Sequence, residues 1–307
     1  MRLIRGLAGL RAPAAHTIVS IGAYDGLHLG HQALLARLIE RSVAAAVPAL
    51  LVTFEPMPRE YLQPEDPPAR LTSFRERWRL LTSLPLDYLC LLRFDEALRN
   101  LSPEDFAQVL VRGLNARTVI VGHDFRFGRL GKATAEVLAE AGGRLGFAVE
   151  VVPPVRLGGE RISSSGVRAA LAGGDFAQAA AWLGRPWTMR GRVVGGERLG
   201  RKLGFPTANL PLRQRRAPVE GVFAVRVHGV AEAALPGVAS LGTRPTVHGT
   251  ERLLEAHLFD FAGDLYGREI AVEFVAKLRD EARFASLEAL TAQMHEDAAR
   301  ARALLGV

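Results

Sequence analysis

The spacing of apolar residues changes once along the chain, near residues 184–186, and this change is the strongest constraint on the fold. Before it, continuous apolar runs alternate with segments of helical periodicity, which is typical of a parallel sheet covered by helices on both faces. After it, short runs alternate between polar and apolar residues and are separated by glycines, as in an antiparallel barrel or sandwich. We therefore predict a doubly wound α/β domain at residues 1–185 and a β domain at residues 186–307.

The two patterns also predict the individual elements. The first domain is expected to contain strands at 17–21, 49–54, 88–92, 118–121 and 148–152, and helices near 32–46, 74–84, 103–112, 134–145, 167–171 and 176–183. The second domain is expected to contain strands at 189–194, 222–227, 253–261 and 270–274, and a last helix at 286–305.

The single cysteine, Cys90, excludes an intramolecular disulfide and a cysteine-cluster metal site. It lies in an apolar run, which predicts a buried structural thiol and suits a reducing compartment. No apolar run is long enough to cross a bilayer, and the N-terminus lacks the sustained apolar segment of a secretory signal. We expect a cytoplasmic protein without membrane contact.

The net charge admits two classes of partner. A formal charge of +7 and a pI of about 10.2 suit either nucleic acid or anionic small molecules such as nucleotides. Aromatic residues are few and the arginines are spread along the chain. The densest basic run, at 213–216, is expected to be a solvated loop.

The turn after the first predicted strand contains the sequence His-x-Gly-His, at His28 and His31, directly before a predicted helix. Free backbone N–H groups and the helix dipole favour negative charge at such a position, and Gly30 lets a phosphate approach the backbone. Two imidazoles three residues apart could both face one phosphate group, which suits nucleotidyl transfer. The alternative is a structural or incidental pair of histidines.

Two further predicted strands end in aromatic and charged residues. The second strand runs into Phe54 and residues 55–60, and the fourth is followed by Asp124 and Phe125. Because ligands of doubly wound folds bind beyond the carboxyl ends of the strands, these residues would suit a flat ligand with polar edges. The alternative is an ordinary loop with core aromatics.

Clustered serines open the predicted helix at 167–171. A serine at a helix start is commonly an N-cap. Ser164, Ser165 and Arg168 would also suit a phosphate, because hydroxyl and N–H donors stand one turn before a guanidinium.

A second dense motif lies in the β domain, at residues 195–210. Its glycines, interleaved with Arg201 and Lys202, could form a flap over phosphates, although it is not a P-loop. Thr207 and Asn209 offer neutral oxygens to a Mg²⁺ that also holds nucleotide phosphates, and Pro206 restricts the turn that presents them.

Glu255 stands inside an otherwise apolar predicted strand. It could pair with an arginine such as Arg244. It could also be a general base that accepts a proton from a hydroxyl nucleophile.

These motifs, in this order, resemble those of the prokaryotic bifunctional riboflavin kinase/FAD synthetases, and the resemblance covers nearly the whole chain. Pro-Thr-Ala-Asn at 206–209 is the most specific of them, and the two sets of motifs together are stronger than either alone. The resembling stretches are 22–31, 53–56, 122–128, 162–168, 203–210, 242–246, 255–267 and 278–284.

The resemblance implies a Rossmann-like FMN adenylyltransferase (FAD synthetase) domain at 1–185 and a riboflavin kinase domain at 186–307, an antiparallel β-barrel with a terminal helix. The kinase would convert riboflavin and ATP to FMN and ADP, and the adenylyltransferase would convert FMN and ATP to FAD and pyrophosphate. ATP is the implied co-substrate of both steps and Mg²⁺ the implied metal. The chain is expected to be a monomer or weak homo-oligomer that binds no nucleic acid.

For the kinase, the resemblance implies that Glu255 activates the hydroxyl and that Thr207 and Asn209 hold Mg²⁺. The residues implied to bind ATP in this half are Gly195, Arg201, Lys202, Gly204, Phe205, Pro206, Thr207 and Asn209.

For the adenylyltransferase, the resemblance implies that His28, His31 and Arg168 take part in catalysis. The residues implied to bind ATP are Gly22, Asp25, Gly26, His28, Gly30, His31, Ser164, Ser165 and Arg168. Those implied to line the flavin site are Phe54, Pro56, Asp124 and Phe125.

The chain departs from the family pattern at three places. Tyr24 replaces a phenylalanine but keeps the ring, and Ser165 replaces a threonine but keeps the hydroxyl. Met57 replaces a histidine after the Glu-Pro pair, and methionine cannot donate to a phosphate. The alternative function is therefore a riboflavin kinase whose adenylyltransferase half is weakened.

An alternative from another class is a basic nucleic-acid-binding protein that uses the α/β domain as a scaffold. It predicts tight, salt-sensitive binding to RNA or DNA. It leaves Glu255, Thr207 and Asn209 without a role.

Overall fold

The computed structural model of the chain describes residues 1–7, 13, 15–196, 200, 203–212, 216–246 and 249–307, without the side chains of 244–246 and 249–251. Residue contacts divide it into two compact units, Met1–Pro68 with Phe74–Ser163 and Ala69–Ser73 with Ser164–Val307. The second unit thus includes the two helices between residues 164 and 183, which were predicted to belong to the first domain. The functional boundary between residues 185 and 186 stays a prediction.

The first unit is built on a parallel sheet of six strands. They are β1 (Arg2–Arg5), β2 (Thr17–Ile21), β3 (Ala49–Phe54), β4 (Tyr88–Leu92), β5 (Ala116–Gly122) and β6 (Ala148–Val152). The strands lie in the order β1-β4-β3-β2-β5-β6, so the direction of winding reverses between β2 and β5. In doubly wound folds, ligands bind at the carboxyl ends of the strands beside this reversal.

Both faces of this sheet are buried. Neighbouring strand residues point to opposite sides, and each side packs into its own apolar cluster. Val19 and Ile21 pack into one apolar cluster, while Ile18 packs into the other with Leu35 and Leu38. A short hairpin, β7 (Arg156–Leu157) and β8 (Glu160–Arg161), follows the sheet. The helices are α1 (Leu29–Ala45), α2 (Pro58–Leu62), α3 (Phe74–Thr82), α4 (Glu96–Arg99), α5 (Pro103–Gln108, followed by a π-helical turn, Val109–Gly113), a 3-10 turn (Arg129–Gly131) and α6 (Ala135–Leu145).

The second unit contains an antiparallel sheet of six strands. They are β9 (Thr188–Arg192), β10 (Ala208–Pro211), β11 (Gly221–His228), β12 (Leu235–Thr246), β13 (Gly249–Leu258) and β14 (Glu269–Arg279). The order is β10-β13-β12-β11-β14-β9, and a bridge between Val194 and Asn209 brings the two edges together. The sheet is therefore a nearly closed barrel, in which few edge groups are left for other chains to pair with.

Three helices belong to the second unit: α7 (Ser164–Ala172), α8 (Phe176–Leu183) and α9 (Leu287–Leu305). Phe176 on α8 packs against Phe223 and Phe274 of the barrel, with ring centroids 5.9 and 6.1 Å away. Ala301 on α9 is buried in another apolar cluster of this unit. Within the described part of the chain, no helix is both long and apolar enough to cross a membrane.

The predicted fold class is confirmed for both halves. β2, β3, β4 and β6 have the predicted bounds, and β5 and the longer helices differ from prediction by a few residues at their ends. The helix predicted at 32–46 begins earlier, at Leu29, because His28 acts as its N-cap.

Among the described residues, five strands were missed by the sequence patterns: β1, β10, β12 and the two-residue strands β7 and β8. β1 has only four residues at the edge of the sheet, so it carries no long apolar signal. β12 contains two prolines and two glycines, which are typical of turns. β10 lies inside the motif that we interpreted as a loop.

Two neighbouring glycines of α6 predict opposite effects on stability. A Cβ on Gly142 would lie 2.5 Å from the carbonyl oxygen of Phe147, whereas a Cβ on the exposed Gly143 would meet no atom within 4 Å. We expect Gly142→Ala to lower the free energy of unfolding by about 1–3 kcal/mol through overpacking. Gly143→Ala should raise it by about 0.5–1 kcal/mol through helix propensity. Urea unfolding of both variants checks this, and equal midpoints would contradict it.

Candidate functional site

The turn between β2 and α1 is buried and has an unusual backbone. Tyr24 and Leu27 adopt the left-handed region, with φ of +52° and +45°, beside Gly26 at +82°. The ring of Tyr24 is fully buried, and its hydroxyl lies 2.7 Å from the Ser20 hydroxyl. Non-glycine residues keep such φ values only where surrounding contacts impose them, which is common at functional sites. Asp25, in the same turn, is also buried.

His28 and His31 lie at the start of α1 and stack on each other. Their ring centroids are 3.7 Å apart with an interplanar angle of 17°. His28 Nδ1 accepts a hydrogen bond of 3.3 Å from the backbone N–H of His31, so His28 caps the helix. A Cβ on Gly30 would lie 3.1 Å from the His28 ring, so a side chain at this position would require the ring to shift by a few tenths of an ångström.

His31 is held neutral by its surroundings. Burial, then the neighbouring His28 and Arg77, lower the pKa of His31 well below its usual value. Its Nδ1 is buried and has no hydrogen-bond partner among the described residues. A neutral imidazole has one N–H donor, so this pair can donate to an anion without carrying two adjacent positive charges.

The end of β3 lies close to this turn. Gly22 donates its backbone N–H to the carbonyl of Val52 at 3.1 Å, and the Thr53 hydroxyl donates to the carbonyl of Ala23 at 3.2 Å. Phe54 is the last residue of β3 and is buried. Its ring packs edge-on against the ring of Phe94, with centroids 5.8 Å apart.

Pro56 and Met57 follow Phe54 directly. Met57 is buried and precedes the first residue of α2, where its backbone N–H donates to the Glu60 carboxylate at 3.0 Å. The thioether makes no capping hydrogen bond. The position where the family pattern has histidine is therefore filled by an apolar side chain at the same edge of the sheet.

Asp124 and Phe125 follow β5, the strand on the other side of the reversal. Asp124 is exposed and pairs with Arg161 of the β7–β8 hairpin at 3.4 Å. Arg161 also lies 2.9 Å from His123 Nε2. Phe125 stacks on Phe127, with centroids 5.5 Å apart. Arg161 directly precedes the serine motif at 162–168, but its contacts with Asp124 and His123 could not be predicted because they join residues 37 and 38 positions apart.

Ser164, Ser165 and Arg168 lie on α7 and belong to the second unit. Arg168 donates from Nε to the carbonyl of Ala69 at 2.5 Å. A Cβ on Gly166 would lie 2.6 Å from the Trp182 ring, so glycine allows α7 and α8 to approach closely.

The barrel brings three predicted kinase residues together. Asn209 on β10 stands directly opposite Glu255 on β13 in the antiparallel register. Opposite residues share one face with Cβ atoms about 4.5–5.5 Å apart. Thr207 lies two residues before Asn209, and Glu255 and Thr207 line the same pocket.

Asn209 is nearly fully buried and closely packed. A Cβ on Gly196 would lie 2.7 Å from its Nδ2, and that nitrogen donates to the carbonyl of Thr207 at 3.4 Å. Its Oδ1 is buried with no hydrogen-bond partner among the described residues. A buried amide oxygen without a partner costs free energy unless a ligand or ion satisfies it.

The pocket beside Glu255 is open and has a volume of about 260 Å³. Ser240, which faces Glu255 from β12, contributes a hydroxyl. Thr207 also lines a smaller cavity of about 60 Å³ together with Tyr266. The apolar wall of the larger pocket is formed by Leu203, Val222, Val238, Leu290 and Met294.

An ion pair from α9 lies in the wall of the larger pocket. Arg279 donates from Nε and Nη2 to the buried carboxylate of Asp297 at 2.8–3.0 Å. Burial and the nearby carboxylates of Glu220 and Glu255 raise the pKa of Glu281, whose side chain lies against Gly242. The burial of Asp297 could not be expected from the sequence, because charged residues on a terminal helix are usually solvated.

The flap motif is only partly described. Phe205 is buried against the rings of His257 and His295, at 5.0 and 4.9 Å. His257 Nδ1 lies 2.9 Å from the Pro206 carbonyl, and Gly204 has φ of +84°. Gly195 is the first residue of the motif and is described, whereas Arg201 and Lys202, also predicted to bind ATP, lie outside the described residues.

Two family models match the chain. The FAD synthetase model matches residues 11–166, and the riboflavin kinase model matches residues 183–305. A crystal structure described as a macrolide-efflux protein from Streptococcus pneumoniae has the same fold, with a TM-score of 0.80 and 31% identity over 97% of each chain.

Two curated relatives match over nearly their whole length. The bifunctional riboflavin kinase/FMN adenylyltransferase of Escherichia coli (strain K12) is 45% identical over 309 residues, covering 100% of this chain and 99% of the relative. The protein of the same name from Pseudomonas fluorescens is 47% identical over 306 residues, covering 99% and 98%. The chain therefore belongs to the family of bifunctional riboflavin kinase/FMN adenylyltransferases.

Proposed function

We propose that the chain phosphorylates riboflavin to FMN with ATP and then adenylylates FMN to FAD with a second ATP. Thr207 carries the first half of the proposal, because it lines both the pocket that contains Glu255 and the smaller cavity beside Tyr266. A residue at the junction of two cavities is well placed where a phosphoryl group passes from one substrate to the other.

In the kinase step, the larger pocket takes riboflavin and the smaller cavity takes part of ATP. The apolar wall suits the flavin ring. The carboxylate of Glu255 accepts the proton of the 5′-hydroxyl as its oxygen attacks the γ-phosphorus. The bond to the β,γ-bridging oxygen breaks, and ADP leaves.

The residues beside Glu255 fit a magnesium ion. Asn209 Oδ1 is buried without a partner among the described residues, and Thr207 adds a hydroxyl. Neutral oxygens combined with nucleotide phosphates are a common ligand set for Mg²⁺. When bound, the ion would neutralise phosphate charge, while Asn209 and Thr207 would orient the nucleotide.

In the adenylyltransferase step, a phosphate oxygen of FMN attacks the α-phosphorus of ATP and pyrophosphate leaves. His28 and His31 donate hydrogen bonds to the phosphate oxygens on which charge develops. Phe54 and Phe125 line the flavin or adenine, and Ser164, Ser165 and Arg168 bind the leaving pyrophosphate. The position of His28 and His31 at the N-terminus of α1, where anions are favoured, supports their assignment to the phosphate groups.

A cytoplasmic location, a monomeric or weakly associating chain, and the absence of nucleic-acid and membrane partners also stay predictions. They rest on composition and on the single buried cysteine.

A product assay tests both halves. Purified protein is incubated with riboflavin, ATP and Mg²⁺, and FMN and FAD are followed by chromatography. We expect FMN to rise first and then to be converted to FAD. If FMN accumulates without FAD, and no FAD forms even when FMN is supplied directly, the result would favour a riboflavin kinase with a weakened adenylyltransferase half. Met57→His should then restore FAD formation. Absence of both products would contradict the proposal.

Glu255→Gln should impair the kinase step, and His28→Ala should impair the adenylyltransferase step. Glu255→Gln keeps the shape but removes the base, so FMN formation should fall by about 10²–10⁴-fold while supplied FMN is still adenylylated. His28→Ala should stop FAD formation and spare FMN formation. Each activity serves as the folding control for the other variant. FMN formation by Glu255→Gln at the wild-type rate would exclude Glu255 as the base.

Gly196 tests the position of Asn209. A Cβ at residue 196 would press on the Asn209 amide, whereas a Cβ on Gly195 would meet no atom within 4 Å. Gly196→Ala should therefore reduce FMN formation more than Gly195→Ala, by about tenfold or more, because small displacements of a reacting group are costly. The magnesium dependence of the rate should shift in Gly196→Ala. Similar rates for the two variants would argue against the assigned role of Asn209.

A further inference from the structure

We propose that Arg77 is a positioning residue of the adenylyltransferase site, because its buried guanidinium joins the ends of β2 and β3. The inference rests on the proposed function. It concerns a residue on α3, away from every motif that the sequence analysis identified.

Arg77 is the largest fully buried side chain of the described residues. Its Nη1 donates to the carbonyl of Ala23 at 2.8 Å. Its Nη2 donates to the carbonyl of Phe54 at 3.3 Å and to the Glu55 carboxylate at 2.9 Å. One planar group therefore binds the two loops that leave β2 and β3.

Both loops carry residues assigned to the reaction. Ala23 directly precedes the strained Tyr24 and the turn that leads to His28. Phe54 and Glu55 begin the segment assigned to the flavin. The rigid guanidinium fork sets the separation of these segments, since a shift of either carbonyl would lengthen a hydrogen bond.

The cost of burying this charge argues for a role beyond packing. A fully buried arginine is rare unless paired, and an apolar residue of similar volume is often equally stabilising. With an apolar residue in place of Arg77, however, the carbonyls of Ala23 and Phe54 at the strand ends would lose their hydrogen-bond donors. A cation with several donors satisfies both carbonyls and the carboxylate together.

The same charge acts on His31. The groups that face the His31 ring are His28, stacked on it, Tyr24 at 5.1 Å, and the charge of Arg77. Burial, His28 and Arg77 all lower the pKa of His31. Removing the positive charge of Arg77 lets His31 take up a proton at higher pH.

Three variants test the inference: Arg77→Met removes the charge, Arg77→Lys keeps it with fewer donors, and Arg79→Met is the control at an exposed position of the same helix. The kcat for FAD formation from supplied FMN should fall by about 100-fold in Arg77→Met and by about tenfold in Arg77→Lys. FMN formation from riboflavin should be unchanged in all three. The acid limb of the FAD-forming pH profile should move to higher pH in Arg77→Met only.

Wild-type kcat and pH profile in a folded Arg77→Met would overturn the inference. If that variant does not fold, Arg77→Lys decides: a lowered kcat for FAD formation with intact FMN formation supports the inference, and an unchanged kcat overturns it. A wild-type protein that forms no FAD would instead contradict the proposed function.

Discussion

Parallel pairing of buried strands is the constraint on which the first half of this protein depends. Because β2, β3 and β5 run in the same direction, their carboxyl ends meet at one edge of the sheet. Residues from three distant parts of the chain therefore lie beside the reversal of strand order, which is where doubly wound folds bind their ligands. The short turn into α1 adds a helix N-terminus to this edge, and His28 satisfies one of its free N–H groups.

Register plays the equivalent role in the barrel. Antiparallel pairing of β10 with β13 sets Asn209 opposite Glu255, and a slip of β10 by one residue would turn Asn209 to the other face of the sheet. The bridge from Val194 to Asn209 and the close approach of Gly196 restrict this register further. The proposed base and the proposed magnesium ligand are thus positioned by the pairing of β10 with β13, and Asn209 also takes part in the bridge that joins the two edges of the sheet.

Both units bury polar side chains near the candidate sites. Tyr24, Arg77 and Asn209 are each buried at high cost unless their polar atoms are satisfied. The Tyr24 hydroxyl has a partner in β2, Ser20, and the Arg77 guanidinium has partners at the ends of β2 and β3, whereas Asn209 Oδ1 has none among the described residues. The hydrogen bonds of Tyr24 and Arg77 hold the surrounding backbone, whereas Asn209 Oδ1 is the atom proposed above to bind the magnesium ion.

The sequence by itself determined the two fold classes, the bounds of β2, β3, β4 and β6, and the residues at the ends of the buried parallel strands, because periodicity and turn chemistry are local properties. It also marked Glu255 as unusual inside an apolar strand. It could not determine the order of strands, the pairing of Asn209 with Glu255, or the partners of Arg77, Arg161 and Asp297. Those depend on contacts between residues tens of positions apart, and a buried arginine on α3 has the same local pattern as a solvated one. Only the tertiary structure decided them, since burial and partner choice are set when the elements pack.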